Sequence, residues 1–162
     1  MPTVSLRAVA PEDLNILFEQ QTDAQANEMA AFGSKHPFDK SAFDARWQRT
    51  LSNSDIATRT VEVDNYVAGY VAHFEQLGKP SISYWIGSFF WGRGVATEAV
   101  GQFLHIVKTR PLFARVALSN VGSVKVLAKN GFKKIDTETS HSEALDAMVD
   151  EAIYSLEQND DT

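Results

Sequence analysis

A run of closely set glycines between a β-rich segment and an amphipathic helix constrains this chain more than any other feature. The segment reads SISYWIG, then SFFWGRG, then VATEAVGQFLHIVK. From Ala96 the apolar residues Ala96, Ala99, Val100, Phe103, Leu104 and Val107 recur at i, i+3, i+4, i+7, i+8 and i+11, which predicts a helix that Pro111 stops. Strand, glycine turn and helix start together let backbone N–H groups approach an anion at the positive helix end. GSFFWGRG has the G-x4-G spacing of a nucleoside-triphosphate loop, but Arg93 and Gly94 stand where Lys and Ser or Thr must reach phosphate and magnesium. A dinucleotide fingerprint fails too, since it needs glycine at Thr97 after Gly92 and Gly94, within an opening βαβ unit. A tight turn, with glycines set only by backbone geometry, is the remaining alternative to an anion site.

The surrounding elements follow from pattern. VSLRAVA reads as a strand, and Pro11 opens a helix with Glu12 and Asp13 near its positive end and Leu14, Leu17 and Phe18 at helical spacing. A second helix is predicted over Lys40 to Leu51, where Phe43, Trp47 and Leu51 are four apart. IATRTVEV and YVAGYVAHFE, joined by Asp64 and Asn65, read as a hairpin. LFARVA is a further strand; Asn120 then caps a helix with Val121, Val124 and Leu127 on its buried side, and Asn130 and Gly131 close it with a left-handed cap. Near the end, Leu145, Met148, Val149, Ala152, Ile153 and Leu156 have helical spacing, while AIYSLE is also acceptable as a strand.

With 162 residues the chain suits one domain over 1–162, with a frayed acidic tail from about 158. No stretch approaches the roughly 18 apolar residues that span a bilayer, and the start MPTVSLRAVAPEDL lacks a signal-peptide pattern, so a cytoplasmic protein with no membrane partner is expected. The absence of cysteine excludes disulfides, thiolate zinc sites and cysteine nucleophiles. His36, His73, His105 and His141 lack metal-ligand spacing, so no metal is expected. The net charge of -6 hides a basic middle: from Gly92 to Lys134 eight cations face one acid, Glu98, while the segments before and after carry -4 and -9. A local polyanionic ligand fits this distribution better than nucleic acid, and charges clustered on solvated faces are the bland alternative.

SYWIGSFFWGRGVATEAV, followed by NVGSVKVLAKNGF, resembles the acyl-CoA site of the GNAT superfamily of N-acetyltransferases, and within it the RimJ/RimL type that acetylates ribosomal-protein N-termini. The loop pattern Q/R-x-x-G-x-G/A ends here on Gly94 and Ala96, with Trp91 at its first position, as in the YWGKG form of that branch. The second motif, N-x-x-S-x-x-V-L-x-x-x-G-F, falls on Asn120, Ser123, Val126, Leu127, Gly131 and Phe132. The resemblance implies an α+β fold: a twisted mixed sheet with helices on both faces, in which the parallel strands SISYWIG and LFARVA splay apart around acyl-CoA. It makes AIYSLE the last strand. It also implies acetyl-CoA as cosubstrate, held by backbone N–H groups from Trp91 through Gly92, Arg93, Gly94, Val95 and Ala96, with Thr97 near by, Arg93 adding charge and Asn120 bonding the pantetheine arm. A backbone N–H of Trp85 or Ile86 would polarise the acyl carbonyl.

Transfer from a thioester to an amine needs a neutral amine, an oxyanion donor and a proton for the leaving thiolate. Leu127 stands where many superfamily members have a tyrosine acid; Ser123 is the substitute the branch suggests, and a capping role is its alternative. Ser81 replaces the acid often found at the head of the splayed strand. His73 and Glu75, on one face if the preceding strand is regular, are the geometric candidates for the base, with surface roles as the alternative. Tyr84 is assigned to packing. The expected acceptor is a protein N-terminal α-amine or another small primary amine, and the expected assembly a monomer or homodimer. A non-catalytic acyl-CoA sensor is the competing function.

Overall fold

The computed structural model describes residues 2–30 and 36–158, so most of the expected acidic tail lies outside the described residues. Seven strands among them form one mixed sheet: β1 (Val4–Arg7), β2 (Ala57–Val63), β3 (Tyr66–Gln76), β4 (Lys79–Ile86), β5 (Leu112–Ala117), β6 (Lys133–Ser142) and β7 (Ala147–Leu156). Their spatial order is β1-β2-β3-β4-β5-β7-β6, antiparallel throughout except for the parallel pair β4 and β5. The helices are α1 (Asp13–Gln21), α2 (Ala24–Ala30), α3 (Lys40–Ser52), α4 (Val95–Ile106) and α5 (Val121–Lys129).

Two hairpins build the first half. Asp64 and Asn65 both take positive φ, 51° and 73°, as a two-residue turn between right-twisted strands requires. Leu77 and Gly78 do the same between β3 and β4, at 53° and 77°. One face of the sheet is covered by α4 and α5: Val95, Ala99, Val100, Phe103 and Leu127 pack with Val71, Ile82 and Ile86. On the other face α1 and α3 bury Leu14, Leu17, Phe43 and Trp47 against Val67 and Tyr70. Asp13, expected to sit at the helix's positive end, is itself buried, and its carboxylate accepts two hydrogen bonds from Arg7 at 2.7 and 2.8 Å and one from Thr60 Oγ1 at 2.8 Å. The Arg7 guanidinium holds its carboxyl below the usual carboxylate range.

Two expectations change on contact with the fold, and a third, the last strand implied by the resemblance, holds. Leu51 does not continue the α3 stripe and is 40% exposed. Of the α5 positions Leu127 alone is fully buried, while Val124 only packs against the core and Val121, at the first helical position, is 57% exposed. The C-terminal run with helical spacing is strand β7. It lies between β5 and β6, and Glu151 to Ser155 are buried consecutively, so the strand shows no alternation to read. The α5 cap matches its expectation: Gly131 has φ 88°, Gly131 N–H donates to Ala128 O and Phe132 N–H to Leu127 O.

Candidate active site

Strands β4 and β5 are each held on their outer side, by full pairing with β3 and β7, and to one another by a single register pair, Ser81 with Phe113. Beyond that point they part. The gap opens into a cleft of about 450 Å³ lined by Tyr84, Trp85 and Ile86 of β4, the turn at Phe90 to Gly92 and Gly94 to Thr97, and Asn120, Ser123 and Lys125 of α5 and its cap.

Backbone direction decides which carbonyl-polarising N–H is available. Gly87 N–H donates back across the sheet to Ala68 O at 2.8 Å, while Ile86 O faces away from β3 and accepts from Trp91 Nε1 at 2.8 Å. N–H and C=O of one strand residue point to the same side and alternate along the strand, so Ile86 N–H faces the gap and Trp85 N–H faces β3. Of the two expected donors, the geometry leaves Ile86. Trp85 still lines the cleft, and its buried indole N–H has no acceptor among the described residues.

The turn is shaped for N–H donation. Ser88–Phe90 forms a short 3-10 turn on which Trp91 N–H donates to Ser88 O at 3.1 Å; that N–H is engaged, which corrects the expectation that it joins the anion site. Gly92 and Gly94 take φ of 77° and 73°, which glycine adopts without strain. A Cβ at either would meet no atom within 4 Å, so glycine is there for φ and leaves the approach open. Glu98 N–H donates to Gly94 O, the first bond of α4, and the N–H groups of Gly92 to Thr97 have no acceptor among the described residues. Asn120 Oδ1 accepts from Ser123 N–H at 3.2 Å, leaving the Nδ2 donor without an acceptor among them.

The charge pattern narrows once side chains are placed. Arg115 pairs with Glu138 and Glu151 across β5, β7 and β6. Arg110 donates to the carbonyls of Leu104 and Val107 at the end of α4. Arg93 stacks on the exposed Phe89 ring, 4.9 Å from its centroid, instead of lining the cleft. Lys125 and Lys129, two of the eight cations of the basic middle, do line it, one helical turn apart on α5.

Two features escaped the sequence. Ala26, Met29 and Ala30 of α2 form one lip of the cleft. Asp23, whose carboxylate caps α2 through Gln25 N–H and Ala26 N–H, also accepts from Ser88 Oγ, clipping α2 to the 3-10 turn. The second is Tyr84, whose hydroxyl lies 2.5 Å from Ser123 Oγ; burial pushes its phenol up to about 12. Leu127, where a tyrosine acid was sought, is in the core.

His73 and Glu75 line a different cleft, of about 920 Å³, with Arg46, Trp47 and Thr50 of α3, Asp55, Tyr70 and Ser83. Ser83 and Tyr84 are successive on β4, so this strand is the wall between the two clefts. The register places His73 opposite Ala57 and Ile82. Burial lowers the His73 pKa and its Nε2 is buried without a partner among the described residues, so the imidazole is neutral near pH 7. Ser81 is buried and donates to Lys79 O at 3.0 Å; it holds the turn and supplies no base. Among the described residues no group of His, Asp and Glu is arranged to hold a metal ion, and no helix is long and apolar enough to cross a membrane.

A sheet parted over a glycine turn and an uncapped helix start, with unmet N–H donors, a free amide donor and two lysines along one side, makes a groove suited to a long anionic ligand. The chain belongs to the acetyltransferase (GNAT) domain family, whose model matches residues 3–133, and it is an acyltransferase. Among solved structures, an N-acetyltransferase from Staphylococcus aureus Mu50 is similar with a TM-score of 0.81 at 23% identity, over 96% of this chain and 98% of that one. The spermidine N-acetyltransferase from Vibrio cholerae, in complex with CoA and spermine, has a TM-score of 0.81 at 16% identity, covering 96% and 95%. The ribosomal-protein-alanine N-acetyltransferase from Brucella melitensis has 0.80 at 17%, covering 95% and 99%. These are likenesses of fold. No curated protein matches the sequence at a significant level.

Proposed function

We propose that this chain transfers the acetyl group of acetyl-CoA to a primary amine of modest pKa, a protein or peptide N-terminal α-amine before any other, as in the RimJ/RimL branch. The observation that carries it is the parting of β4 from β5 beside the unmet N–H groups of Gly92 to Thr97. When bound there, acetyl-CoA supplies an activated acyl group on a thioester. Gly92 to Thr97 N–H groups and the α4 dipole hold its pyrophosphate, with Lys125 and Lys129 adding charge. Ile86 N–H faces the developing oxyanion, and Ser123 faces the leaving sulfur. The chain has no cysteine, and Ser123, the serine on the cleft wall, is bonded to the Tyr84 hydroxyl and to no base among the described residues; the acetyl group passes directly to the amine.

Asn120 is assigned two separate tasks: Oδ1 caps α5, and Nδ2 bonds the pantetheine arm. Asn120→Asp keeps a capping oxygen and removes the donor. We expect stability within about 0.5 kcal/mol of wild type and acetyl-CoA affinity reduced about tenfold, the worth of one hydrogen bond plus an introduced charge. Calorimetry beside a thermal melt separates the two; unaltered affinity leaves Asn120 as a cap alone.

The acceptor enters by the larger cleft, where Asp55 and Glu75 outnumber the single cation Arg46 and a neutral His73 can take a proton by way of water. Neutralising an α-amine at pH 7 costs about 1 kcal/mol and a lysine side chain about 4.6. A half-buried imidazole opposite Ile82, four residues along β4 from Ile86, is a weak base for that step and favours the former. Release of free CoA with two peptides, one N-terminus free and the other blocked, each with an internal lysine, tests the reading. Turnover is expected with the free peptide alone. Equal turnover with acetate on lysine rejects the α-amine assignment, and no release with any of a panel of amines favours an acyl-CoA sensor.

A further inference from the structure

The hydroxyl pair on the cleft wall carries a step the sequence did not anticipate. Ser123 Oγ has one hydrogen-bond partner among the described residues, Tyr84 Oη at 2.5 Å; Tyr84 Oη is also placed to donate to Ser123 O, and at 3.3 Å this acceptor is the more distant of the two. Tyr84 is fixed: its ring packs against the core cluster and its strand position pairs with Val71. Ser123 is fixed as well, with its N–H bonded to the Asn120 cap. Both residues line the cleft between β4 and β5. A hydroxyl has a single proton to give. If Ser123 donates to Tyr84, its proton is turned into the protein; if Tyr84 donates to Ser123, the Ser123 proton is left for a group in the cleft.

We propose that Tyr84 is a positioning residue for the leaving sulfur: its hydroxyl donates to Ser123 Oγ and so presents the Ser123 proton to the sulfur of the bound carrier. This rests on the acyl-CoA reading of the cleft. In the transfer the C–S bond breaks with its electron pair on sulfur, the N–C bond forms, the amine proton passes to water, and sulfur departs as a thiolate hydrogen-bonded to Ser123. The pair donates without surrendering its proton. An ordinary thiol titrates near 8.5 and the Tyr84 phenol near 12, so complete transfer from the pair to the thiolate is uphill by roughly 3.5 units. A hydrogen bond to the charged sulfur meets no such penalty.

The product complex gives the test without an acceptor. The thiol pKa of CoA bound to the protein is read from the ultraviolet absorbance of its thiolate, for wild type, Tyr84→Phe, Ser123→Ala and the double variant. Lys125 and Lys129 act on the thiolate alike in all four, so the differences isolate the hydroxyls. We expect the thiol pKa to be about one unit lower in wild type than in either single variant, a tenfold change in thiolate fraction at a pH below both values, with CoA affinity near neutral pH within about threefold. Because the hydroxyls act in series, the double variant shifts no further than Ser123→Ala alone. A pKa that moves with Ser123→Ala but not with Tyr84→Phe overturns the role of Tyr84. CoA bound by all four with one common pKa overturns the proposal and leaves the acyl-CoA reading intact; wild type that does not bind CoA overturns both. Should Tyr84→Phe not fold, an unmoved pKa in Ser123→Ala is sufficient to reject the proposal.

Discussion

Gly94→Asp is expected to fold and to lose CoA affinity by about a hundredfold. Gly94 precedes α4 with φ 73°, and no atom lies within 4 Å of the position a Cβ would take. The new side chain therefore meets backbone strain and no clash. Aspartate tolerates left-handed backbone better than most residues, at a cost of about 1 kcal/mol. Its carboxylate then sits among the free N–H groups at the start of α4, where it acts as a cap and returns a similar amount. The same carboxylate occupies the anion site. Two charges about 4 Å apart repel by about 4 kcal/mol at an effective dielectric of 20, so a loss of about 2 to 4 kcal/mol in binding is the expected scale. Gly94→Ala separates strain from charge: it should lower the melting temperature a few degrees and affinity little. Calorimetric titration of CoA into each variant measures this. A folded Gly94→Asp that binds CoA as wild type does would place the phosphates elsewhere.

What the sequence made legible is what short-range pattern controls. The α4 stripe as far as Leu104, strand β5, the Asn120 cap and the Asn130–Gly131 stop are each specified within about a dozen residues, and each appears where pattern put it, although α4 ends at Ile106 with Val107 already extended, short of Pro111. The glycine turn was legible for the same reason, since positive φ at Gly92 and Gly94 leaves a mark in composition. Properties that depend on tertiary neighbours were not. The Tyr84 hydroxyl meets Ser123 across 39 residues of chain, and nothing around Tyr84 distinguishes it from a packing aromatic. The basic middle overcounts the charge free to meet a ligand, because Arg115 answers Glu138 and Glu151 and Arg110 answers helix carbonyls. Helix α2, with AQANEMA for a sequence, has no apolar stripe to announce it; Asp23 and the contact with Ser88 define it. Strand β7 was legible only through family resemblance, since consecutive burial removes the period of two.

Gly69→Ala is expected to be the most damaging single methyl group in the described structure. Gly69 lies on β3 opposite Ile86, next to the irregularity where the β2–β3 register shifts between Val61 and Glu62. A Cβ there would stand 1.9 Å from Trp85 O, 2.9 Å from Trp85 C and 3.0 Å from Ile86 Cα. All three are backbone atoms, so no rotamer relieves the contact. Strand β4 must move by more than 1 Å to restore an ordinary separation, and the pairs Gly69–Ile86 and Tyr70–Trp85 are the ones at the contact. Overpacking of this kind costs about 3 kcal/mol or more, which lowers the melting temperature of a chain this size by about 10 °C. The same movement displaces Ile86 N–H, so any folded fraction should transfer acetyl groups poorly even where CoA still binds. Gly122→Ala is the control, since the nearest atom, Asn120 Oδ1, is 4.0 Å away and alanine favours the α5 helix by about 1 kcal/mol. Melting temperatures for both variants decide the matter: an unshifted Gly69→Ala would mean that β3 and β4 yield freely. The parted sheet then could not be a rigid frame for the carbonyl-polarising N–H, because the strand that carries it would be free to slide.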